Sequence, residues 1–289
     1  MAKFESPADP DPFEPLEAEL EALAHAEDSA PEQVPAPAAD SSEPIIVFDD
    51  VSIAFDERPV LENVSFSVGR GQTLCILGRS GVGKSVALRL LMGFLKPDSG
   101  SIRVDGQEIT GLDEEGLRAI RKHITMVFQN GALFDSLSVR ENVAFPLREK
   151  GGLADDQVDQ LVDRLIGLVG AEGVVDFLPS SLSTGRKRAV AIARALAAQP
   201  EIVLYDEPTT MVDPLIARRL GGIIQRLQHQ LGLTSIVVTH DTRFAQTLAD
   251  AVLFLHQGRA LYFGPLDGFM TSADPDIRQF LALDAYVTP

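Results

Sequence analysis

The sequence lacks most of what an exported or membrane-spanning protein needs. Its 289 residues contain one cysteine, Cys75, and no tryptophan. A single cysteine excludes a disulfide within the chain, and its place in an apolar run fits a reducing compartment. No run of eighteen apolar residues occurs, and the first residues are acidic where a secretory or transit signal is basic. These absences predict a cytoplasmic protein without a membrane-spanning segment.

Basic residues are also scarce. The chain has 25 Lys and Arg against 42 Asp and Glu, for a net charge of −17. Residues 1–43 carry seven prolines and twelve acidic residues against Lys3, a charge of −11 that leaves −6 for residues 44–289. This composition predicts a disordered acidic tail over 1–43 and a folded domain over 44–289. A nucleic-acid partner would need a local basic stripe, so we expect none.

From residue 45 onward, apolar segments alternate with helical patterns, as in α/β domains with a parallel sheet. Near the start, three partly alternating segments predict antiparallel strands: IIVFDDVSIAF, ENVSFSV and GSIRVDGQEI. Five nearly continuous apolar segments predict strands that are covered on both faces: TLCIL, HITMVF, EIVLYD, TSIVVTH and AVLFL. Helical patterns are clearest at 84–95, 153–170 and 184–198. Residues from about 131 to 181 contain no buried-strand pattern, which predicts a helical insertion.

The segment GRSGVGKS, residues 78–85, fits the pattern G-x-x-x-x-G-K-[ST] between a predicted strand and a predicted helix. Glycines allow successive backbone N–H groups to turn toward phosphate oxygens, and the helix that opens near Lys84 directs its positive dipole end at them. Lys84 is placed to reach the β- and γ-phosphates, and the Ser85 hydroxyl to hold Mg²⁺. The predicted nucleotide contacts come from Gly78, Arg79, Ser80, Gly81, Val82, Gly83, Lys84, Ser85 and Val86.

A second acidic site follows the strand IVLYD. Asp206 ends this strand and is predicted to support Mg²⁺, and Glu207, one residue further on, is placed to polarise a water against the γ-phosphate. An ordinary acidic strand end is the alternative, but it is less consistent with the glycine-rich loop upstream. The two motifs together predict a nucleoside triphosphate that is hydrolysed.

Between these two motifs lies LSTGRKRAVAIARALAAQP, which resembles the signature sequence of the ATP-binding cassette (ABC) family, usually L-S-G-G-Q. The resemblance covers residues 45 to about 283. It implies the ABC nucleotide-binding fold, a P-loop core with an antiparallel β subdomain and a helical insertion, and a homodimer that encloses two ATP molecules. Ser183 and Gly185 would then contact the ATP held by the opposite copy.

The resemblance also assigns roles to four other residues. Phe55 would stack on the adenine, unless it is a core phenylalanine. Gln129 would contact the metal or the attacking water and link the nucleotide to the insertion. His240 would bond the γ-phosphate, unless it is an ordinary strand-end histidine. Asp213 would reach across the dimer interface, although alone it is an unremarkable loop acid.

The signature departs from the family pattern in its charges and at one glycine. Arg186, Lys187 and Arg188 crowd the first helical turn, where the helix dipole disfavours cations by roughly 0.3–1 kcal/mol each. An incoming anion would offset this penalty; alternatively, the three side chains point into solvent. Thr184 stands where the pattern has glycine, and its branched side chain either slows closure on the γ-phosphate or is accommodated.

The segment FQNGALFDSLSVRENVAFPLRE, residues 128–149, resembles the ATPase subunits of Mla-type phospholipid transporters, and ADPDIRQFL near the C-terminus is similar to the same group. This resemblance implies an integral membrane permease that docks on residues 128–149, an MCE-domain lipid-binding partner, and a peripheral location on the cytoplasmic face of the inner (cell) membrane. The apolar residues Leu133, Phe134, Leu137 and Val139 suit a groove for a permease helix, or else form the core of the insertion.

Three other functions share the same nucleotide motifs. The chain could serve an importer of a small solute, act as a soluble ABC ATPase in DNA repair or translation, or switch on nucleotide binding without hydrolysis. The acidic folded part and the absence of a long coiled-coil or zinc insertion argue against the second. Glu207 argues against the third, which Thr184 slightly favours.

Overall fold

The computed structural model describes residues 43–286, and side chains as far as residue 283. Residues 1–42, which hold almost all of the predicted acidic tail, lie outside the described residues. Within residues 43–286, no helix combines the length and apolarity that crossing a bilayer requires.

Ten strands and nine α-helices can be assigned within the described residues. The strands are β1 (Ile46–Phe55), β2 (Arg58–Val68), β3 (Thr73–Leu77), β4 (Ser99–Val104), β5 (Gln107–Glu108), β6 (Ile124–Val127), β7 (Ile202–Asp206), β8 (Thr234–Val238), β9 (Ala251–His256) and β10 (Arg259–Pro265). The helices are α1 (Lys84–Leu91), α2 (Glu114–Arg121), α3 (Val139–Lys150), α4 (Asp155–Leu168), α5 (Thr184–Ala197), α6 (Pro214–Leu231), α7 (Thr242–Leu248), α8 (Leu266–Met270) and α9 (Pro275–Tyr286).

The strands form two sheets. A four-stranded antiparallel sheet has the order β2-β1-β4-β5, and a six-stranded sheet has the order β10-β9-β3-β8-β7-β6. In the larger sheet β9, β3, β8, β7 and β6 are parallel, and β10 pairs antiparallel with β9. The predicted fold class, an α/β P-loop core with an antiparallel β subdomain and a helical insertion, is confirmed. The edge strand β10 is absent from the sequence prediction.

Strand β3 shows why the parallel strands are so uniformly apolar. All five of its residues are buried, and neighbouring side chains point to opposite faces of the sheet. Leu74 and Ile76 pack into the core shared with α1 and the antiparallel sheet, whereas Cys75 and Leu77 pack into the core beneath α5 and α6. Burial raises the pKa of the Cys75 thiol, with a smaller contribution from the Asp250 charge, so this cysteine stays protonated.

Helices α3 and α4 and two 3₁₀ turns, Glu172–Val174 and Pro179–Ser181, connect β6 to α5. The first helix starts with a reciprocal cap, because the Ser138 hydroxyl accepts from the Glu141 N–H and the Glu141 carboxylate accepts from the Ser138 N–H. The parallel strands place their carboxyl ends at one edge of the sheet. The residues that follow β3, β6, β7 and β8 therefore meet there.

Candidate nucleotide-binding site

The glycine-rich loop connects β3 to α1, as the sequence predicts. Gly78 has a φ of 151° and Gly83 a φ of 105°, which side-chain-bearing residues rarely adopt. A Cβ atom on Gly78 would lie 2.6 Å from the Leu255 carbonyl oxygen, and one on Gly83 would lie 2.7 Å from a Leu61 methyl carbon. Helix α1 begins at Lys84 without a capping side chain or an acidic residue in its first turn. Its first N–H groups are thus available to an anion.

The Lys84 side chain is buried at the centre of this loop, with 5% of its surface exposed. Its ammonium group donates to the carbonyl oxygens of Gly78 at 2.9 Å and Arg79 at 3.2 Å. The same nitrogen lies 3.3 Å from Glu207 Oε1. A positive charge is therefore fixed beneath the loop and balanced by a carboxylate.

Ser85 and Asp206 form the second polar pair. The Ser85 hydroxyl donates to Asp206 Oδ1 at 2.7 Å. Burial is the main influence on the Asp206 carboxyl and raises its pKa, with the Ser85 hydrogen bond opposing the rise. A hydroxyl and a partly desolvated carboxylate at contact distance are hard oxygen donors of the kind that Mg²⁺ prefers, so the residues present fit this ion.

Glu207 is held in place by both its backbone and its side chain. It has a φ of 47°, unusual for a residue with a side chain, and its N–H donates to the Val238 carbonyl at 2.9 Å. Its Oε2 accepts from the His240 ring Nδ1–H at 2.8 Å and from the Thr210 hydroxyl at 2.9 Å. The carboxylate is thus oriented by two donors while its other oxygen faces Lys84.

These contacts shift the pKa values of Glu207 and His240 in opposite directions. Burial alone would raise the pKa of Glu207, but the His240 hydrogen bond and the Lys84 charge outweigh it and lower that pKa. The hydrogen bond to Glu207 raises the pKa of His240 against the opposing effect of burial. Both shifts favour the ion pair.

A cleft of about 640 Å³ opens above this network. Eleven of the predicted site residues line it: Phe55, Arg79, Ser80, Gly81, Gly83, Lys84, Ser85, Val86, Gln129, Glu207 and His240. Gly78 and Asp206 contribute from behind the lining through their bonds to Lys84 and Ser85. Val82 instead packs against the core of the antiparallel sheet.

Phe55 and Gln129 reach this cleft from different elements. Phe55 ends β1 and keeps 42% of its surface exposed, so it is not a core phenylalanine. Gln129 lies just beyond the carboxyl end of β6, at the start of the connection to the helical insertion, and is exposed. Both side chains are accessible to a ligand in the cleft.

Four lining residues are absent from the sequence prediction: Val60, Thr210, Phe280 and Leu283. Val60 lies on β2, two residues beyond Arg58, which pairs with Phe55 at the end of β1. Thr210 lies three residues beyond Glu207, a spacing at which a hydroxyl can return to the carboxylate across a turn. Phe280 and Leu283 belong to α9, and their approach depends on tertiary packing.

The signature residues do not line the cleft of their own chain. Ser183 caps α5, and its hydroxyl oxygen accepts from the Arg186 N–H at 3.4 Å. Asp213 caps α6 in the same way, accepting from the Leu215 N–H at 2.8 Å. A Cβ atom on Gly185 would lie 2.4 Å from the Ile216 Cγ2 atom, so this glycine is needed for packing within the chain. The structure of a single chain leaves these residues outside the cleft.

The three cations of the signature helix have different environments. Arg186 is exposed and Lys187 is half-buried, whereas Arg188 is buried with 5% of its surface exposed. The alternative that all three side chains point into solvent is wrong for Arg188. Its guanidinium turns inward and donates to the Phe128 carbonyl at 3.1 Å.

The four apolar residues predicted for a permease groove also differ in their burial. Val139 is fully buried in the core of the insertion, so it cannot line a groove, and Leu133 packs partly against the same core. Phe134 is about half exposed, and its ring lies 4.8 Å from that of the equally exposed Phe145. Leu137 has intermediate exposure.

A glycine-rich loop between a strand and a helix, with paired acidic residues after a neighbouring strand, defines a P-loop nucleotide-binding domain. The sequence profile of the ABC transporter family matches residues 61–210, which is more than half of the chain. The chain therefore belongs to the ABC transporter family, whose nucleotide-binding subunits bind ATP and act as ATPases.

Individual relatives agree with this assignment. The intermembrane phospholipid transport system ATP-binding protein MlaF of Escherichia coli K12 is 37% identical over 232 residues, covering 80% of this chain and 86% of that protein. The methionine import ATP-binding protein MetN of Brucella abortus is 39% identical over 226 residues. This match covers 78% of this chain but only 61% of the length of MetN. A dimeric structure of the ATP-binding cassette MJ0796 with ADP and Pi has a TM-score of 0.70 at 30% identity and covers 76% of this chain and 98% of that chain.

Proposed function

We propose that this chain is the ATP-hydrolysing subunit of a membrane transporter, and that two copies enclose two ATP molecules head to tail. The P-loop of one copy and the Ser183 end of α5 in the other would hold the same triphosphate. Two exposed apolar side chains beside Asp213 support this arrangement: Met211 is 90% exposed and Leu215 is 74% exposed. Apolar side chains of this size are favoured at interfaces, where a second copy would cover them.

The observation that carries the hydrolytic role is the arrangement of Glu207 with Lys84, Thr210 and His240. An incoming γ-phosphate would take over the Lys84 ammonium and leave Glu207 beside the bound nucleotide. His240 and Thr210 would keep the carboxylate oriented so that it accepts a proton from an attacking water. The shift of the Glu207 pKa keeps this carboxylate ionised before the reaction.

Ser85 and Asp206 are the residues that would hold Mg²⁺, together with Gln129. Bound there, the ion would neutralise charge on the β- and γ-phosphate oxygens. Phe55 would stack on the adenine at the far side of the cleft. The glycine-rich loop would surround the phosphates with backbone N–H groups, and Asp213 would act across the interface.

We further propose that the cargo is phospholipid, moved with an integral membrane permease and an MCE-domain partner. The similarity to MlaF covers 86% of that protein, whereas the similarity to MetN leaves more than a third of the methionine importer without a counterpart. The half-exposed aromatic pair Phe134 and Phe145 in the segment 128–149 offers an apolar surface for a permease helix. The chain would then sit on the cytoplasmic face of the inner membrane.

A small-solute importer is the second candidate, because the MetN relatives reach 39% identity. Two measurements separate the candidates. The full-length protein, purified from gently solubilised membranes, is expected to bring an integral membrane permease with it. ATP turnover of that complex is then measured in vesicles of different phospholipid content and with added methionine.

Turnover that depends on the phospholipid and ignores methionine is the expected result. Stimulation by methionine alone would favour the small-solute importer. Recovery of a turnover-competent protein that never associates with a permease would contradict the transporter role and favour a soluble ATPase.

A further inference from the structure

Arg188 connects the signature helix to the peptide that carries Gln129. Its terminal nitrogen Nη1 donates to the Phe128 carbonyl at 3.1 Å. That carbonyl belongs to the peptide bond between Phe128 and Gln129, and a peptide unit is planar. The bond therefore fixes the orientation of the backbone from which the Gln129 side chain departs.

A second arginine of α5 holds the next part of the same loop. Arg194 donates to the carbonyl oxygens of Ala132 at 2.9 Å and Gly131 at 3.4 Å, and its guanidinium carbon lies 5.4 Å from the centre of the Phe134 ring. A Cβ atom on Gly131, whose φ is 79°, would lie 3.4 Å from the Lys187 carbonyl oxygen. The loop thus lies directly on α5 along more than one helical turn.

Asn142, the fourth residue of α3, binds the far end of this loop. Asn142 is fully buried, and its side-chain oxygen accepts from the Phe134 N–H at 2.8 Å. Its side-chain nitrogen lies within 3.1 Å of the carbonyl oxygens of Phe134, Leu137 and Ser138. The segment Phe128–Ser138 is therefore attached to two helices through side-chain-to-backbone hydrogen bonds.

Burial of the Arg188 guanidinium carries a desolvation cost in free energy. Desolvation lowers the pKa of its guanidinium, and its Nε atom is buried without a hydrogen-bond partner among residues 43–286. An uncompensated donor of this kind costs free energy that an apolar side chain would not. The cost is consistent with a role in orientation, since a guanidinium can direct a specific bond at one carbonyl.

We propose that Arg188 is a positioning residue for Gln129, and that the segment Phe128–Phe134 moves with the signature helix as one body. The inference rests on the proposed function, because that helix moves when two copies close over ATP. Closure sensed at Ser183 would then be transmitted through Arg188 to Gln129 of the same chain and, through Arg194, to the aromatic surface at Phe134.

The test compares backbone hydrogen exchange in the full-length protein with and without ATP and Mg²⁺, using a Glu207→Gln background to slow turnover. In this parent, ATP is expected to slow exchange both at 183–188 and at 129–133. In Arg188→Met, exchange is expected to slow at 183–188 only. Arg118→Met, which removes an exposed arginine from α2, is the control and should behave as the parent.

Steady-state kinetics with Glu207 intact provide a readout that a purely structural role would not move. Arg188→Met should lower kcat for ATP about tenfold while KM changes less than about twofold, since a displaced Gln129 affects the reacting geometry more than ATP binding. Arg188→Lys, which keeps the charge and one donor, should recover part of the loss. If Arg188→Met does not fold, Arg188→Lys and Arg194→Met are compared with the parent instead. In Arg194→Met, the ATP-linked slowing of exchange should be lost at 131–134 alone.

Three results would overturn the inference. ATP-linked slowing at 129–133 that persists in Arg188→Met would show that Arg188 does not position this segment. Slowing that is missing at 129–133 from a parent in which 183–188 responds would show that the loop and helix are independent. No response at 183–188 in the parent would instead overturn closure itself, and the inference with it.

Discussion

The nucleotide cleft and the signature end of α5 carry equally recognisable sequence motifs, yet their polar groups are satisfied in different ways. In the cleft, Lys84, Ser85 and Glu207 each bond to another functional residue of the same chain. At the signature end, and within residues 43–286, the side chains of Ser183 and Asp213 bond only to N–H groups of their own helices. A single chain thus assembles the proposed hydrolytic network but leaves the proposed second set of nucleotide contacts outside the cleft.

This difference indicates what ATP must change. Binding in the cleft has to replace existing contacts, because Lys84 already pairs with Glu207 at 3.3 Å. Binding at the signature end would only add contacts to a helix whose first turn carries cations and no acidic residue. The cleft should therefore dominate turnover, and the signature end should control closure.

The strongest test of this contrast is Glu207→Gln, which keeps the shape of the side chain and removes the charge. ATP turnover should fall by about 10²–10⁴-fold because no base remains to accept the proton, while ATP binding persists. Turnover and dimer formation in the presence of ATP are the measurements. Glu201 directly precedes the first residue of β7, at the end of the strand opposite Glu207. Glu201→Gln is therefore the control and should leave turnover unchanged. Retained turnover in Glu207→Gln would remove the carboxylate from the mechanism.

Phe55→Ala tests whether the apolar side of the cleft contributes to binding. Stacking on a base is worth roughly 1–3 kcal/mol, so the dissociation constant for ATP should rise about 5- to 150-fold. Equilibrium binding of ATP is the measurement. Phe94, which is similarly exposed but lies against Arg121, is the matched control for removing a surface aromatic. Equal ATP affinity in Phe55→Ala and the parent would show that Phe55 does not contribute to ATP binding.

Gly185→Ala separates a packing role at the signature end from a nucleotide-contacting role. The added methyl meets Ile216 at 2.4 Å and should cost about 1–3 kcal/mol of unfolding free energy. Denaturant unfolding measures this cost, and the double variant Gly185→Ala with Ile216→Ala should recover most of it. A double variant that is stable but still slow in ATP turnover would show that the glycine also acts on nucleotide. Unchanged stability in Gly185→Ala alone would contradict the packing argument.

Titration of His240 sharpens the description of the cleft. Because its pKa is raised, the stability it contributes through Glu207 is fully present below its ordinary value of about 6.5 and is lost as pH rises through the raised value. The lowered pKa of Glu207 gives the complementary limit, with stability lost as pH falls through that value. NMR titration should show His240 returning toward its ordinary pKa in Glu207→Gln. A histidine that titrates identically in both proteins would contradict the pair.

The sequence predicts the cleft well because its chemistry is local. The spacing from Gly78 to Ser85 already specifies a loop, a helix start and two side chains, and parallel strands bring Asp206 and His240 to the same edge. Thr210 could have been found from its three-residue distance to Glu207. Strand β10 was missed because its seven residues alternate between partial and full exposure, although the turn residues Gln257 and Gly258 before it are typical of a hairpin.

The contacts of the signature end are less predictable because they depend on the direction in which each side chain of α5 points. Arg186 and Arg188 are two residues apart and carry the same charge, but the first points outward and the second lies against Phe128, 60 residues away. The helical phase shows that the two side chains diverge, yet it does not show which element receives the inner one. The collision between Gly185 and Ile216 likewise depends on how closely α5 and α6 pack.

The smallest expected effect concerns the one signature glycine that the chain lacks. Thr184 is exposed at the first position of α5. Thr184→Gly should leave ATP turnover equal or faster, since a bare backbone lets a γ-phosphate approach more closely. Steady-state turnover measures this, and Thr184→Ser separates the hydroxyl from the branched methyl. A tenfold drop in Thr184→Gly that Thr184→Ser does not share would show that the hydroxyl itself contacts the nucleotide, and would give the signature end a direct part in catalysis.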